Sequence, residues 1–299
     1  MDGWVRRRWG DGAVAWVTRR TRLTNGFSSP NVERLDLRVT RPHARSDRTA
    51  VLRKTANPAE VSALRALLEV RGATTFPELL ATGHDEAGPW VLMPFYDGTP
   101  ALNELAIPVE VVESLARLHA HYADVALPDL PVLDQTWWQR KCEFAIERLP
   151  RFMPPDPLRD QTLELLREYT HDASLARALQ VLPRTLVHGD VHANNVLVNG
   201  PYSMLVDWGG VYLAPAMLDL ANLTTPEAEK FQRYKDAWQD ATGSAFDDEL
   251  ALLGFHWATV AVNVKYLVFA AKQLGIGAVG AMVERARTAK AELAAQLRK

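Results

Sequence analysis

The chain has 299 residues, enough for one large domain or two lobes around a cleft, and its 47% apolar and 23% charged content excludes an intrinsically disordered chain. A net charge of -2 gives no sign of nucleic-acid binding, which calls for a strong basic excess. The lone cysteine, Cys142, excludes an internal disulfide framework and a cysteine-rich zinc site; it fits a reduced, cytoplasmic setting and reads as a buried thiol in a helix.

Met1 to Arg8 lacks an apolar core after its charges, so no secretory signal is expected. The first fifty residues hold eleven arginines against five acidic residues. Such a field attracts anions such as nucleotide phosphates, although a solvated strand surface explains it as well. Residues 13–17 read as a strand. Residues 23–31 are a cluster of turn formers, and Val32 to Val39 alternates as a strand. Thr49 to Arg53 is a further strand, and Asn57-Pro58 starts a helix over 59–70 that Gly72 stops. Pro89 to Pro94 reads as the next strand. Past residue 95 the pattern turns helical: Val109 to His121, Trp137 to Leu149, Pro157 to Tyr169, and from Pro226 onward with breaks at Gly243 and at Gly275–Gly280. The shift predicts an N-terminal lobe of residues 1–95 rich in strands and a C-terminal lobe of 96–299 rich in helices. The most apolar stretch, Leu250 to Ala271, carries His256, Asn263 and Lys265. It reads as a buried helix, so no membrane partner is expected.

One strand-like island interrupts the helical half. Val196-Leu197-Val198 and Met204-Leu205-Val206 flank Asn199-Gly200-Pro201, which predicts a hairpin centred near residue 201. Folding it brings Asn195 and Asp207 together at the open end. An amide oxygen and a carboxylate there make a hard-oxygen site suited to Mg2+. Asp190 lies five residues before Asn195, within reach of a hydroxyl held near a metal-bound phosphate. Phosphoryl transfer needs these parts: a metal, in-line positioning and a carboxylate that orients the attacking oxygen. Asp and Asn are common in turns, so the signal is the joint pattern rather than any one residue. His188 and His192 stand four apart, but Gly189 and the flanking strands argue for a loop that they brace rather than a zinc-binding helix. Neither a nucleophile elbow nor a Walker A run is present.

The run His188-Gly189-Asp190-Val191-His192-Ala193-Asn194-Asn195-Val196-Leu197-Val198, followed by Val206-Asp207-Trp208, resembles the signature of the aminoglycoside phosphotransferase and choline kinase-like enzymes. The resemblance is tight over about residues 186–221 and loose over nearly the whole chain. It implies an α+β protein-kinase-like fold, a small β-rich lobe over a larger helical lobe, with ATP or GTP in the cleft. It implies that Asp190 is the catalytic base or substrate-orienting carboxylate and that Asn195 and Asp207 bind Mg2+. It makes Asp219, in Pro215-Ala216-Met217-Leu218-Asp219, structural. It sets Asn25-Gly26-Phe27-Ser28-Ser29 where a loop covers the phosphates, with Ser28 and Ser29 as donors. It makes Arg53 or Lys54 the phosphate-pairing cation, with Arg53 favoured, and Glu60 its partner. Met93 and Phe95 would hold the base through backbone atoms.

For the acceptor, residues 219–249 carry eight acidic residues against three basic ones, a charge suited to a polycationic aminoglycoside and equally to a solvated helix. Phe255, Trp257, Tyr266 and Phe269 hint at a less charged substrate or simply a core. The first expectation is an antibiotic-inactivating kinase acting on an aminoglycoside or another hydroxylated natural product. A metabolic kinase of a sugar, amino alcohol or amino acid is the second, and a catalytically silent nucleotide-binding module the third. A protein-serine kinase is distant, because His-Gly-Asp and Asp-Trp-Gly replace the His-Arg-Asp and Asp-Phe-Gly forms.

Overall fold

The computed structural model describes residues 2–23, 31–42 and 46–298. The chain opens with a helix, α1 (Asp2–Trp9), followed by strands β1 (Val14–Leu23), β2 (Val32–Thr40) and β3 (Asp47–Thr55). Helix α2 (Pro58–Leu67) and strands β4 (Ala81–Asp85) and β5 (Gly88–Pro94) complete the first third. The five strands form one antiparallel sheet in the order β1-β2-β3-β5-β4.

Alternation along the strands divides the sheet into two faces. On one face Leu35, Leu37, Val39, Val51 and Leu92 bury themselves with Trp4 and Val5 of α1. On the other, Val91 and Met93 join Ala63 and Leu64 of α2 in the main core, with Leu52 packed against it. Sequence patterning did not anticipate α1. Three successive arginines fill three of its eight positions, and only Trp4, Val5 and Trp9 give it an apolar side. Its arginines hold it from outside: Arg7 Nη2 donates to the Leu80 carbonyl at 3.3 Å and Arg8 pairs with Glu78 at 3.2 Å.

The remainder is mostly helical. A short strand β6 (Thr99–Pro100) leads to α3 (Val109–His121), α4 (Gln135–Arg148), α5 (Pro157–Thr170) and α6 (Ala173–Val181). Strand β7 (Thr185–Val187), the hairpin β8 (Val196–Asn199) and β9 (Tyr202–Leu205), and β10 (Tyr212–Ala214) then form the island. Helices α7 (Glu229–Thr242), α8 (Asp248–Gln273) and α9 (Ile276–Gln296) close the chain. Among the described residues β6 joins the hairpin in a three-stranded sheet, and β7 pairs with β10 alone. The α+β class expected from the sequence is therefore the observed one. The expected break over Gly275–Gly280 is narrower than expected. Gly275, at φ 88°, is the turn residue, while Gly277 and Gly280 lie inside α9.

Side chains such as Asp134, Asp156, Asp172 and Asp247 cap the helices that follow them by accepting backbone N–H groups. Helix α8 is long and apolar enough to cross a membrane by length and composition, but more than half of its most apolar window is buried in the protein. Trp257, Val260, Ala261 and Val264 lie in the main core with Val279 and Val283 of α9.

Trp4 anchors α1 to the sheet, so Trp4→Ala removes the largest side chain of the smaller core. Urea unfolding should show a loss of about 3 kcal/mol. A loss below about 0.5 kcal/mol would mean that α1 is not part of that core.

Candidate active site

The hairpin is where the sequence places it. Val196 faces Leu205 and Asn199 faces Tyr202, with Gly200 turning the chain at φ 56°. The Val206 N–H donates to the Asn195 carbonyl at 2.8 Å, so Asn195 stands opposite Val206 rather than Asp207. A strand continuing through Asp207 would send the Asn195 and Asp207 side chains to opposite faces. It does not continue: Asp207 takes φ 64° and ψ 63°, a left-handed conformation rare outside glycine. The pleat then no longer sets the direction of its carboxylate.

That carboxylate meets a buried cation. Asp207 Oδ1 accepts from Lys54 Nζ at 2.9 Å, and the same ammonium lies 2.8 Å from Glu60 Oε1. Burial alone would lower the Lys54 pKa, but the Glu60 and Asp207 carboxylates outweigh it and hold the pKa above the ordinary value. Burial raises Glu60, and Lys54 reverses this only in part. Strand β3, helix α2 and the end of the hairpin thus meet at one ammonium. Asn57 adds a second tie. Its side-chain oxygen caps α2 by accepting from the Glu60 N–H at 2.8 Å, and its amide nitrogen donates to the Gly209 carbonyl at 3.1 Å.

The loop before the hairpin is shaped by Asp219, which is 1% exposed. It accepts the backbone N–H groups of His188 and Gly189, each at 2.7 Å, and sits 3.3 Å from His119 Nε2. Gly189 has φ 76°, and a Cβ there would lie 2.3 Å from the Gly210 carbonyl oxygen, so no other residue fits. His188 is buried, and burial lowers its pKa. Its Nε2–H donates to the Val206 carbonyl at 3.0 Å and its Nδ1 accepts from the Asp190 N–H at 3.2 Å. Both ring nitrogens are therefore engaged by backbone.

Asp190 follows, with its side chain 32% exposed. Its Oδ1 accepts from Lys265 Nζ at 2.9 Å and from the Tyr266 hydroxyl, while His192 Nε2 lies 3.6 Å from Oδ2. Burial would raise its pKa, but His192, Lys265 and Tyr266 together hold the carboxyl well below the usual range. Asn195 Nδ2 donates to the Asp190 carbonyl at 2.9 Å, which leaves the amide oxygen as the end offered to a cation. Lys265 and Tyr266 are neighbours on α8; Lys265 was not singled out for the site, and Tyr266 was weighed only as part of an aromatic face for the acceptor or the core. Sequence spacing offers no signal for them, since they reach Asp190 from 75 and 76 residues away.

Arg53 is not part of this group. Strand alternation points it to the face opposite Lys54, where it pairs with Asp85, lies 4.0 Å from Glu33 and covers the Trp90 ring at 5.2 Å. Of the two cations weighed, Lys54 is the one beside Glu60 and Asp207. Met93 lies in the sheet opposite Leu52 with its side chain in the core. Phe95 donates its N–H to the Ala50 carbonyl at 3.0 Å, so that group closes the sheet rather than facing a ligand. Its ring packs under Arg34 at 4.3 Å. Ser28 and Ser29 lie outside the described residues. Among the described residues no cluster of three His, Cys, Asp or Glu side chains forms a metal cage. One carboxylate and one amide oxygen, Asp207 and Asn195, fit an ion that completes its shell with water and phosphate oxygens, as Mg2+ does.

The model of the phosphotransferase enzyme family, APH, matches residues 19–261. A search of curated proteins returned no match. Solved structures share the fold. A GDP complex of an aminoglycoside 2'-phosphotransferase-IIIa mutant is 15% identical, with 97% of this chain and 96% of that one covered and a TM-score of 0.52. A choline/ethanolamine kinase family protein from Mesorhizobium loti is 16% identical over 94% of this chain and 88% of its own, TM-score 0.52. A putative fructosamine-3-kinase from Thermobifida fusca is 16% identical over 91% and 93%, TM-score 0.52.

Two outcomes test the geometry. Asp219→Asn removes a charged acceptor from two buried N–H groups and should lower stability by about 2–3 kcal/mol in thermal or urea unfolding; an unchanged protein would mean the loop does not depend on it. Asp190, with its pKa lowered on folding, stabilises the protein above the ordinary carboxylate range, and that contribution fades as pH falls through the lowered value. Asp190→Asn should therefore flatten the acid side of the stability profile, and a profile matching the wild type would refute the pairing.

Proposed function

The chain belongs to the phosphotransferase enzyme family and is a small-molecule kinase, and we propose that it moves the γ-phosphate of ATP or GTP onto a hydroxyl of a small molecule. The observation that carries this reading is the Lys54 ammonium joined to Glu60 and Asp207, with Asp190 on the loop entering the same hairpin. In it residues 1–95 form the nucleotide lobe and residues 96–299 the catalytic and substrate lobe.

Each residue has a separate task. Glu60 fixes the Lys54 ammonium so that it faces the phosphates at no further ordering cost. Asp207 and Asn195 would hold Mg2+, which when bound neutralises phosphate charge. Asp190 takes the acceptor hydroxyl. A carboxylate with so low a pKa is a weak base, so it orients the hydroxyl and receives its proton late. The hydroxyl oxygen forms a bond to the γ-phosphorus, the bond from that phosphorus to the bridging oxygen breaks, and the nucleoside diphosphate leaves.

The acceptor is a hydroxylated antibiotic, aminoglycosides among them, inactivated by phosphorylation, or a sugar, amino alcohol or amino acid of metabolism. The structural neighbours are named for aminoglycoside, choline or ethanolamine, and fructosamine acceptors, and so favour neither class.

Purified protein with Mg2+ and ATP or GTP should add one phosphoryl group to a member of an acceptor panel of hydroxylated antibiotics, amino alcohols and sugars, read as product mass. Asp190→Ala should lower the transfer rate by about a hundredfold or more while nucleotide affinity stays within about threefold. Asp207→Ala and Lys54→Met should weaken Mg-nucleotide binding itself by about tenfold or more. Full transfer by Asp190→Ala would overturn the assignment.

A further inference from the structure

The two carboxylate oxygens of Asp190 have different surroundings. Oδ1 accepts from Lys265 Nζ at 2.9 Å and from the Tyr266 hydroxyl. Oδ2 faces His192 Nε2 at 3.6 Å, beyond hydrogen-bond length. The side chain is 32% exposed, so a hydroxyl can reach the oxygen that is not engaged.

The groups on Oδ1 come from one helix. Lys265 and Tyr266 are consecutive on α8, about 100° apart around its axis, and converge on one atom. Their own ends are 3.1 Å apart, and Lys265 Nζ also lies 2.6 Å from the Gly189 carbonyl. An ammonium has three N–H groups, and here three oxygens take them. One cation thus holds both the backbone entering Asp190 and the Asp190 side chain. Val264 and Leu267, on either side of the pair, are each 1% exposed in the main core. Asn263 Oδ1 accepts from Arg285 Nε of α9 at 3.1 Å, so α8 is anchored where it carries these two residues.

Stability alone gives no reason for Lys265 in an apolar helix. Its side chain is 18% exposed, and packed apolar groups in place of a largely buried ion pair are often as stable or more so. What the pair supplies is direction. We propose that Lys265 and Tyr266 are positioning residues for phosphoryl transfer: by holding Oδ1 they turn Oδ2 to the acceptor hydroxyl and keep that hydroxyl in line with the γ-phosphorus. The inference rests on Asp190 being the acceptor-facing carboxylate of a kinase. Asp219 and His188 place the Asp190 backbone, and the α8 pair places its side chain. A carboxylate released from the pair rotates among its rotamers, and a displacement of about 1 Å at a reacting group costs about a hundredfold in rate.

The test measures transfer to the best acceptor of the panel, or to water if none is taken, with Mg-ATP affinity as the control for folding. Lys265→Met keeps the length of the side chain and removes the ammonium. It should lower kcat by about tenfold to a hundredfold, with acceptor KM and Mg-ATP affinity within about threefold of wild type. Tyr266→Phe keeps the ring and removes one donor, and should lower kcat by about threefold to tenfold in the same manner. On an Asp190→Ala background each substitution should leave the residual rate within about threefold, because the oxygen it holds is gone. Three results in folded protein would overturn the inference: an unchanged kcat, a change confined to KM, or the same loss of rate on the Asp190→Ala background. Tyr266→Phe decides the matter if Lys265→Met does not fold. Each of these leaves the kinase reading standing. A wild-type protein that transfers phosphate to neither a panel acceptor nor water would sink that reading and this inference with it.

Discussion

The ammonium of a lysine that is 7% exposed needs carboxylates around it, and Lys54 finds them on two separate elements. Removing one partner of a buried ion pair costs about 3–5 kcal/mol, because the charge left behind is unsolvated. That cost ties β3, α2 and the end of the β8–β9 hairpin into one arrangement. Any slippage of the sheet register by one residue would point Lys54 to the opposite face and bring Arg53 to the cleft. The left-handed Asp207 belongs to the same constraint. Its conformation costs about 1 kcal/mol, and the contact with Lys54 offsets it.

Asp219 does for the loop what Lys54 does for the cleft. A buried carboxylate satisfied by two N–H groups and His119 fixes the path from His188 to Gly189, and Gly189 accepts a conformation and a contact that no other residue tolerates. His188 then accepts the Asp190 N–H and donates to the Val206 carbonyl, joining the loop to the strand that ends at Asp207. The position of Asp190 relative to Asp207 is therefore set by backbone hydrogen bonds rather than by exposed side chains.

Local pattern made much of this legible. The Asn199-Gly200 turn between two apolar runs foretold the hairpin, although Asn195 pairs with Val206, one residue short of the Asp207 that the midpoint of the turn suggested. The α+β order followed from strands before residue 95 and helices after it. What stayed hidden depends on long-range packing. Alternation separates Arg53 from Lys54 but does not say which face of a sheet meets the cleft; α2 packing on the Leu52 side decides that. Lys265 stood in the sequence as one polar interruption of an apolar helix, and only the placement of α8 reveals its contact with Asp190. The Phe95 N–H is taken by the Ala50 carbonyl, a pairing hidden in the sequence because strand ends cannot be located to one residue from pattern alone. α1 escaped notice because an arginine-rich stretch buries only two side chains in the core.

The most direct test of the account is a structure of the protein with Mg2+ and a non-hydrolysable ATP analogue. The account predicts the Lys54 ammonium within hydrogen-bonding distance of phosphate oxygens and still held by Glu60, the metal on Asp207 and Asn195, and Asp190 facing the γ-phosphate. A nucleotide bound with its phosphates on Arg53, or away from the Lys54 cluster altogether, would contradict it.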